Sequence, residues 1–538
     1  MSGSRSAGAF WWPWIRAVAL PAGLSLLVLR AVLGPGYLLQ VDAVFGPRLQ
    51  PLTWSFSSPL QVAVAVLHAV AGSATGAICF LAALFLAGLG PMVLARGRPW
   101  WVQCLAGLIG ALNPFVYARL VEGQWSIVAA TGLLFLWVAA WERLAAAAGR
   151  GAVAGLASCT VAVAAASPNM LGPLALLALL GLLWQRPWRD PAVRRRLLTG
   201  LGVSAAALLY GVLAFFVSQG GDSFTAVRGF GRADFVAFRS APDPHWGLLP
   251  ALAGLYGEWA ERVGRFPVAT AAAPWWPVAS GLLVLATLFG TWRARQRSWL
   301  LVAGVLGLLL SALTATGWGL DLAVAAAHRL PLLAAWREPQ KWLALWLLAV
   351  ATLAPESLVP RGLRRGTAAG WGVAAAAAAM AAAVLLPGGV TELQRTSSIV
   401  RPVAYPPDWM AAEEAVALEV APRERVAVLP WHLYAELPFT GRLAANPAPV
   451  LFREPLLASS DPEIPGSPPQ PSPAGIGALS LADSDPVPCA LADALRAAGV
   501  HWAVVEDVGG GEQNRRRLVA CGFHPVSGTS GQTTLLQG

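Results

Sequence analysis

The chain has 538 residues, 56% of them hydrophobic and only 12% charged, with a mean hydropathy of +0.58 and a formal net charge of +10. A soluble domain carries charge at roughly 25% of its positions, so an ordinary soluble enzyme is excluded, and repeated apolar runs of about 17–22 residues define a polytopic membrane protein. The positive charge does not point to nucleic acid, because the arginines sit in short clusters between the apolar runs, as they do in cytoplasmic loops.

In chain order, the first span falls near Trp14–Val32 and reads as retained, because it lacks a small-x-small cleavage site. The loop Gly34-Pro-Gly-Tyr-Leu-Leu-Gln-Val-Asp42-Ala-Val-Phe-Gly-Pro-Arg48 follows, with Asp42 as its only acid. Its prolines and glycines shape a loop and end the helix. A carboxylate at a membrane face is costly to dehydrate unless it is paired. Asp42 is therefore either the acid of an external cavity or a solvated acid in a plain interfacial loop. Leu60–Ala71, with His68, is too short to cross and amphipathic, and is expected to lie along the outer surface.

Further spans are expected near Ser73–Leu94, Trp101–Leu112, Trp125–Trp141, Gly151–Ala166, Met170–Trp184, Thr199–Val217, Trp276–Trp292, Trp299–Thr316, Trp342–Leu353 and Thr367–Leu386, about eleven in all. Trp at run ends (Trp11, Trp12, Trp14, Trp100, Trp101, Trp275, Trp276) suits interfacial anchoring. Asn113-Pro114 ends one span, and an outer loop with Tyr117, Arg119, Glu122 and Gln124 is expected after it. The long segment Ser218–Pro274, with Asp243, His245, Trp246, Glu258 and Glu261, is expected to be ordered and functional. A further outer loop carries Trp336-Arg337-Glu338-Pro339-Gln340-Lys341, which holds the only lysine in the chain.

Orientation follows from the arginine clusters at 96–98, 143–150, 186–196, 293–297 and 361–365. A cytoplasmic N-terminus puts all five inside. Asp42, Glu122, the long loop and Arg337–Lys341 then share the external face with the tail. The membrane region takes residues 1–390 and the tail residues 391–538. The tail alternates helices and strands: helix Asp408–Val420 with Asp408 as N-cap, strand Arg425–Leu429, helix Leu491–Ala498, strand Trp502–Val505 and helix Glu512–Ala520. That makes a small external α/β domain, with Pro/Ser-rich 459–488 as a flexible insertion. Cys79, Cys104 and Cys159 fall in apolar runs. Cys489 and Cys521 could pair if the tail is external, although sequence does not show their proximity.

Asp42 in a partly desolvated cavity has the chemistry of a general base or a metal ligand. Glu122 could be a second acid at the same site, or a loop acid paired with Arg119. Arg337 and Lys341, at an outer helix entrance against the topological bias, suit a phosphate at headgroup height; simple snorkelling explains them as well. His245 beside Trp246 could orient a sugar or pyrophosphate. Walker, nucleophile-elbow, His-Glu-x-x-His and dinucleotide motifs are all missing from the sequence.

The plan resembles GT-C type membrane glycosyltransferases. These carry an acid in the first outer loop, a surface helix after it, a long outer loop after the seventh span and often an external C-terminal domain. Gly36–Asp42, Asn113–Trp125 and Arg337–Trp342 also resemble segments of actinobacterial membrane proteins of this general kind. The resemblance implies transfer of a sugar from a polyprenyl-phosphate donor to a cell-envelope acceptor at the external face of the plasma membrane. Asp42 would be the catalytic base and Glu122 a secondary acid or metal ligand. Arg48, Tyr117, Arg119, His245, Trp246, Arg337, Glu338 and Lys341 would bind substrate, with Arg337 and Lys341 on the lipid phosphate. A divalent cation such as Mg or Mn is left open, since Asp42 stands alone where many such enzymes carry paired acids. The expected fold is mainly α: a transmembrane bundle of about 11 spans with the external α/β domain. The alternative is a non-enzymatic envelope protein, a transporter or scaffold. The near absence of charge within the spans argues against transport.

Overall fold

The computed structural model describes residues 7–48, 59–146, 149–185, 189–218, 230–262, 276–359, 396, 398–422, 424–453, 455–467, 469–529 and 531–538. The expected span at 367–386 and the arginine cluster at 361–365 lie outside them, as do Trp275 and the side chains of Trp11, Trp12 and Trp14. The chain divides into two compact units. The first takes the described residues of Met1–Arg30, Thr53–Val62 and Ile78–Ser397; the second takes those of Ala31–Leu52, Ala63–Ala77 and Ser398–Gly538.

The first unit is helical. Its long elements are α1 (Ala7–Val28), α3 (Thr75–Leu94), α4 (Trp100–Ala111), α6 (Trp125–Ala146), α7 (Arg150–Ala166), α8 (Leu171–Gln185) and α9 (Pro191–Ser218). The long segment holds the short helices α10 (Arg232–Ala237) and α11 (Leu248–Ala253), and after it come α12 (Trp276–Arg293), α13 (Ser298–Leu313), α14 (Gly317–Arg329) and α15 (Leu343–Leu353). The helix α2 (Pro59–Ala71) precedes α3 and passes into it through a short 3-10 turn at Gly72–Ala74. Among the described residues five helices are long and apolar enough to cross a membrane, or six if the pair Trp100–Ala111 and Pro114–Glu122, bent by 44°, is one span. This is fewer than the eleven expected.

Every residue of α15 is buried, as expected of an apolar helix at the centre of a bundle. Its neighbours come close through small residues. A Cβ on Gly290 would stand 1.8 Å from the Leu353 carbonyl oxygen, and one on Gly90 would stand 2.3 Å from that of Gly132. At the arginine-rich ends, Arg297 forks onto both carboxylate oxygens of Glu142, at 2.8 and 2.7 Å, and Arg98 meets Glu356 at 2.6 Å. By contrast, α12 leaves Val278, Leu282, Leu285, Phe289 and Trp292 exposed, a three-to-four-residue stripe suited to lipid.

The second unit is built on a five-stranded sheet of order β4-β1-β5-β7-β6. The strands β4 (Leu456–Leu457), β1 (Arg425–Leu429) and β5 (Val500–Glu506) are parallel, while β7 (Thr533–Gln537) runs antiparallel to β5 and β6 (His524–Pro525). A separate hairpin pairs β2 (Tyr434–Leu437) with β3 (Arg442–Ala445). The helices are α16 (Pro407–Glu419), α17 (Ile476–Leu481), α18 (Ala490–Ala497) and α19 (Gly511–Ala520). Cys489 and Cys521, 32 residues apart, form a disulfide.

Three sequence expectations change here. Asp408 is not the N-cap of α16: Pro406 takes that position, and the Asp408 carboxylate accepts from the backbone N–H groups of Trp409 and Gln532. The Pro/Ser-rich insertion is packed. Ile476 is fully buried, and Asn514 and Arg517 of α19 donate to the Ser480 and Leu479 carbonyls at 3.0 and 2.9 Å. Its composition disfavours regular structure but still supplies apolar anchors.

The third change concerns the first loop, which is built into the second unit. Tyr37 bridges Val403, Gln40 donates to the Ile399 carbonyl at 2.8 Å and accepts from the Ala445 N–H at 3.1 Å, and Arg442 donates to the Leu39 carbonyl at 2.9 Å.

Candidate active site

The sequence Asn113–Gln124 specifies its own short helix. The Asn113 side chain accepts from the Val116 N–H at 3.0 Å, Pro114 occupies the first turn, and Gly123, at φ +91°, closes the end. The result is α5 (Pro114–Glu122), where an outer loop was expected. All its residues except the half-buried Tyr117 are buried.

This helix buries Arg119 completely and Glu122 almost so. The Arg119 guanidinium reaches Glu258 Oε2 at 2.7 Å and lies 3.6 Å from both Glu122 Oε2 and Glu338 Oε2. It also donates to Gln124 Oε1, whose amide in turn donates to Glu338 Oε2 at 3.5 Å. Lys341 Nζ approaches Glu338 Oε2 at 3.1 Å with its side chain 9% exposed. Two cations and three carboxylates therefore share one buried cluster. Burying charges costs several kcal/mol each unless partners compensate.

Local structure delivers each partner. Glu258 caps a 3-10 turn at Trp259–Glu261, and its own N–H donates to Glu261 Oε1 at 3.1 Å. Glu338 precedes a second 3-10 turn, Pro339–Trp342, which contains Lys341 and leads into α15. Gln340 fixes that turn by donating to the Phe238 carbonyl at 2.9 Å. Arg337 lies between the rings of Phe230 and Phe238, 4.3 and 4.4 Å from their centroids. Among the described residues it makes no ion pair.

The acids are electrostatically unlike. Burial pushes Glu258 up to about 7 despite the adjacent Arg119. Burial works the same way on Glu338, but Lys341, Arg119 and Arg337 together hold it down to about 2. The two acids of one cluster therefore sit in opposite electrostatic settings, a division found at acid–base sites and in buried structural networks alike.

The other candidates fall elsewhere. Asp42 and Arg48 belong to the second unit. Leu39 bridges Val44, and the Gln40 N–H donates to the Ala43 carbonyl at 2.8 Å, which puts Asp42 on an exposed turn and not in a dehydrated pocket. Arg48 pairs with Glu413 of α16. His245 and Trp246 occupy a tight turn whose N–H groups both donate to the buried Asp243 at 2.9 Å, and Trp246 is 55% exposed. Sequence reasoning singled out neither Glu258 nor its partnership with Arg119; nothing local marks an acid whose partner lies on a distant element. Among the described residues no three acids, histidines or cysteines are grouped to hold a metal ion. The carboxylates of the cluster face arginine and lysine instead, so its donors do not fit a divalent cation.

No family model and no curated protein matches the chain. Solved structures do. The arabinofuranosyltransferase AftD from Mycobacteria superposes over 97% of this chain with a TM-score of 0.63 at 17% identity. A mutant form of that enzyme gives 0.59, also at 17%. The chain spans 40% of AftD's length. ArnT from Cupriavidus metallidurans, bound to undecaprenyl phosphate, aligns over 99% of this chain and 98% of its own at 12% identity, with a TM-score of 0.40. With its lipid-facing helices and this likeness, the chain is a multi-pass membrane protein with the fold of the GT-C type membrane glycosyltransferases.

Proposed function

We propose that the protein is an integral membrane glycosyltransferase that moves a sugar from a polyprenyl-phosphate donor to a cell-envelope acceptor at the external face of the plasma membrane. The observation that carries this reading is the superposition of 97% of the chain on AftD at a TM-score of 0.63. The external placement rests on the arginine clusters, which assign the N-terminus to the cytoplasm and the C-terminal domain to the outside.

In the proposed reaction Asp42 takes the proton of an acceptor hydroxyl. The oxygen attacks the anomeric carbon, the carbon–oxygen bond to phosphate breaks, and the polyprenyl phosphate leaves with the electron pair. An exposed Asp42 is accessible to an acceptor, as a base requires. Arg337 and Lys341 would neutralise the departing phosphate, and Glu122 would act through Arg119 as a positioning acid. Arg48, Tyr117, His245 and Trp246 remain candidates for acceptor contacts.

A second reading, a non-enzymatic envelope scaffold, is favoured by the exposure of Asp42 on a turn. Complementation of a strain lacking the protein separates the two. Wild type is compared with Asp42→Ala and Asp42→Asn at matched membrane abundance, with envelope glycans and lipid-linked sugars read by mass spectrometry. The enzyme reading expects both variants to lose a glycan and to accumulate its lipid-linked donor. Wild-type glycans from both variants would sink it and leave the scaffold.

A further inference from the structure

Three helix ends of the first unit enclose a cleft of about 820 Å³ formed by residues outside the ion cluster. They are the last turn of α6, the start of α7 and the N-terminal half of α9. Arg150, Arg195 and Arg196 line it, and Leu144, Val153 and Val203 supply apolar wall. No carboxylate lines it among the described residues. The nearest acid in sequence, Asp190, is engaged elsewhere: its Oδ1 accepts from the Ala192 and Val193 N–H groups at 2.8 and 3.3 Å and caps α9.

Two observations go beyond a loop that merely sets topology. The Nε of Arg196 is buried and has no hydrogen-bond partner among the described residues, a costly arrangement for a charged donor. The 17-residue α7 starts at the cleft with Gly149 as its N-cap and no side chain capping it; the Ala152 and Val153 N–H groups turn to the Gly149 carbonyl at 3.1 and 3.3 Å, and the positive dipole end of the helix meets no capping carboxylate among the described residues. Topological arginines need only lie on the correct side of the bilayer. They need not converge on one concavity around an uncapped helix.

We propose that this cleft binds the phosphate of an anionic membrane lipid, whose acyl chains run along Val153 and Val203. A rim of three cations on an apolar wall matches the two halves of such a molecule, and basic pockets between membrane helices are suited to its headgroup. A free phosphate would satisfy the rim and leave the wall unused.

The test is titration of the purified full-length protein in neutral detergent with phosphatidylglycerol, phosphatidylcholine and inorganic phosphate, read by native mass spectrometry. Phosphatidylglycerol should bind, phosphatidylcholine should not, and inorganic phosphate should not displace the bound lipid. The triple variant R150Q/R195Q/R196Q should bind phosphatidylglycerol roughly 100-fold more weakly, while Arg295→Gln, an exposed arginine outside the cleft, should leave it unchanged. Ala154→Trp narrows the cleft without altering charge and should weaken binding, so it decides the question if the triple variant does not fold. Undiminished binding by Ala154→Trp or by a folded triple variant, equal binding of phosphatidylcholine, or displacement by inorganic phosphate would each overturn the proposal.

Discussion

Arg119 Nη2 lies 2.7 Å from Glu258 Oε2, with the arginine side chain fully buried and the glutamate 5% exposed. The pair joins a capped helix, α5, to the middle of a long inter-helix segment. Neither residue has enough water around it to screen its charge, so the pairing is obligatory once the fold forms.

Removing the cation should therefore be far worse than neutralising the acid. Arg119→Gln leaves Glu258, Glu122 and Glu338 without their shared partner and is expected to cost about 3–5 kcal/mol. Glu258→Gln should cost less, since burial already brings that carboxyl to about 7. Thermal unfolding of the two variants in the same detergent checks the order.

Arg337 between Phe230 and Phe238 relies on planarity as well as charge. Arg337→Lys keeps the charge and loses the stacking, and should lower stability by about 1 kcal/mol. Denaturant midpoints for Arg337→Lys and wild type read that difference. An unchanged midpoint means the rings contribute nothing.

Glu506 predicts a pH effect. It is buried at the end of β5, accepts from Asn446 Nδ2 at 3.1 Å, and is pushed by burial from 4.5 up to about 8. Between those values the folded state holds more protons than the unfolded state, so stability falls as pH rises from about 4.5 to about 8 and levels off above that. The slope cannot exceed about 1.4 kcal/mol per pH unit. Hydrogen bonding to Glu463 raises His432 as well, which acts in the same direction. Melting curves across that range should be visibly flatter in Glu506→Gln, and an identical slope would refute the assignment.

The disulfide Cys489–Cys521 closes a loop of 32 residues. Its loss should destabilise the second unit by about 3–4 kcal/mol on chain-entropy grounds. Peptide-level hydrogen exchange in the full chain, wild type against Cys489→Ser/Cys521→Ser, should show faster opening of α18, α19 and β5, with α15 unaffected.

Much of the local structure could be read from sequence because its causes are local. Arg425–Leu429 forms the strand its apolar run suggests, whereas Asn113-Pro114, expected only to end a span, also starts α5. The helix itself was missed, because nine residues with three polar side chains after a proline look like a loop until the burial of Arg119 and Glu122 is known. Asp42 was legible as unusual, with a cavity acid and a solvated loop acid both open; the Leu39–Val44 bridge that turns it outward is a backbone contact with no side-chain signature. The Tyr37–Val403 bridge is invisible for the same reason. Short strands such as Leu456–Leu457 carry too few residues to show a period.

The binding of the first loop to the second unit sets an order of events during synthesis. Gln40 and Ile399 are 359 residues apart in the chain. At about 5–20 residues per second, the ribosome needs about 20–70 s to make the later partner after the earlier one. Through that interval the hairpin bearing Asp42 lacks Ile399, Val403, Arg442 and Ala445. A polypeptide truncated before the last sheet would therefore carry a full complement of early helices and an unfinished Asp42 loop. Expressed alone, the tail would have the opposite defect, with those four positions missing the strand-like segment they close upon.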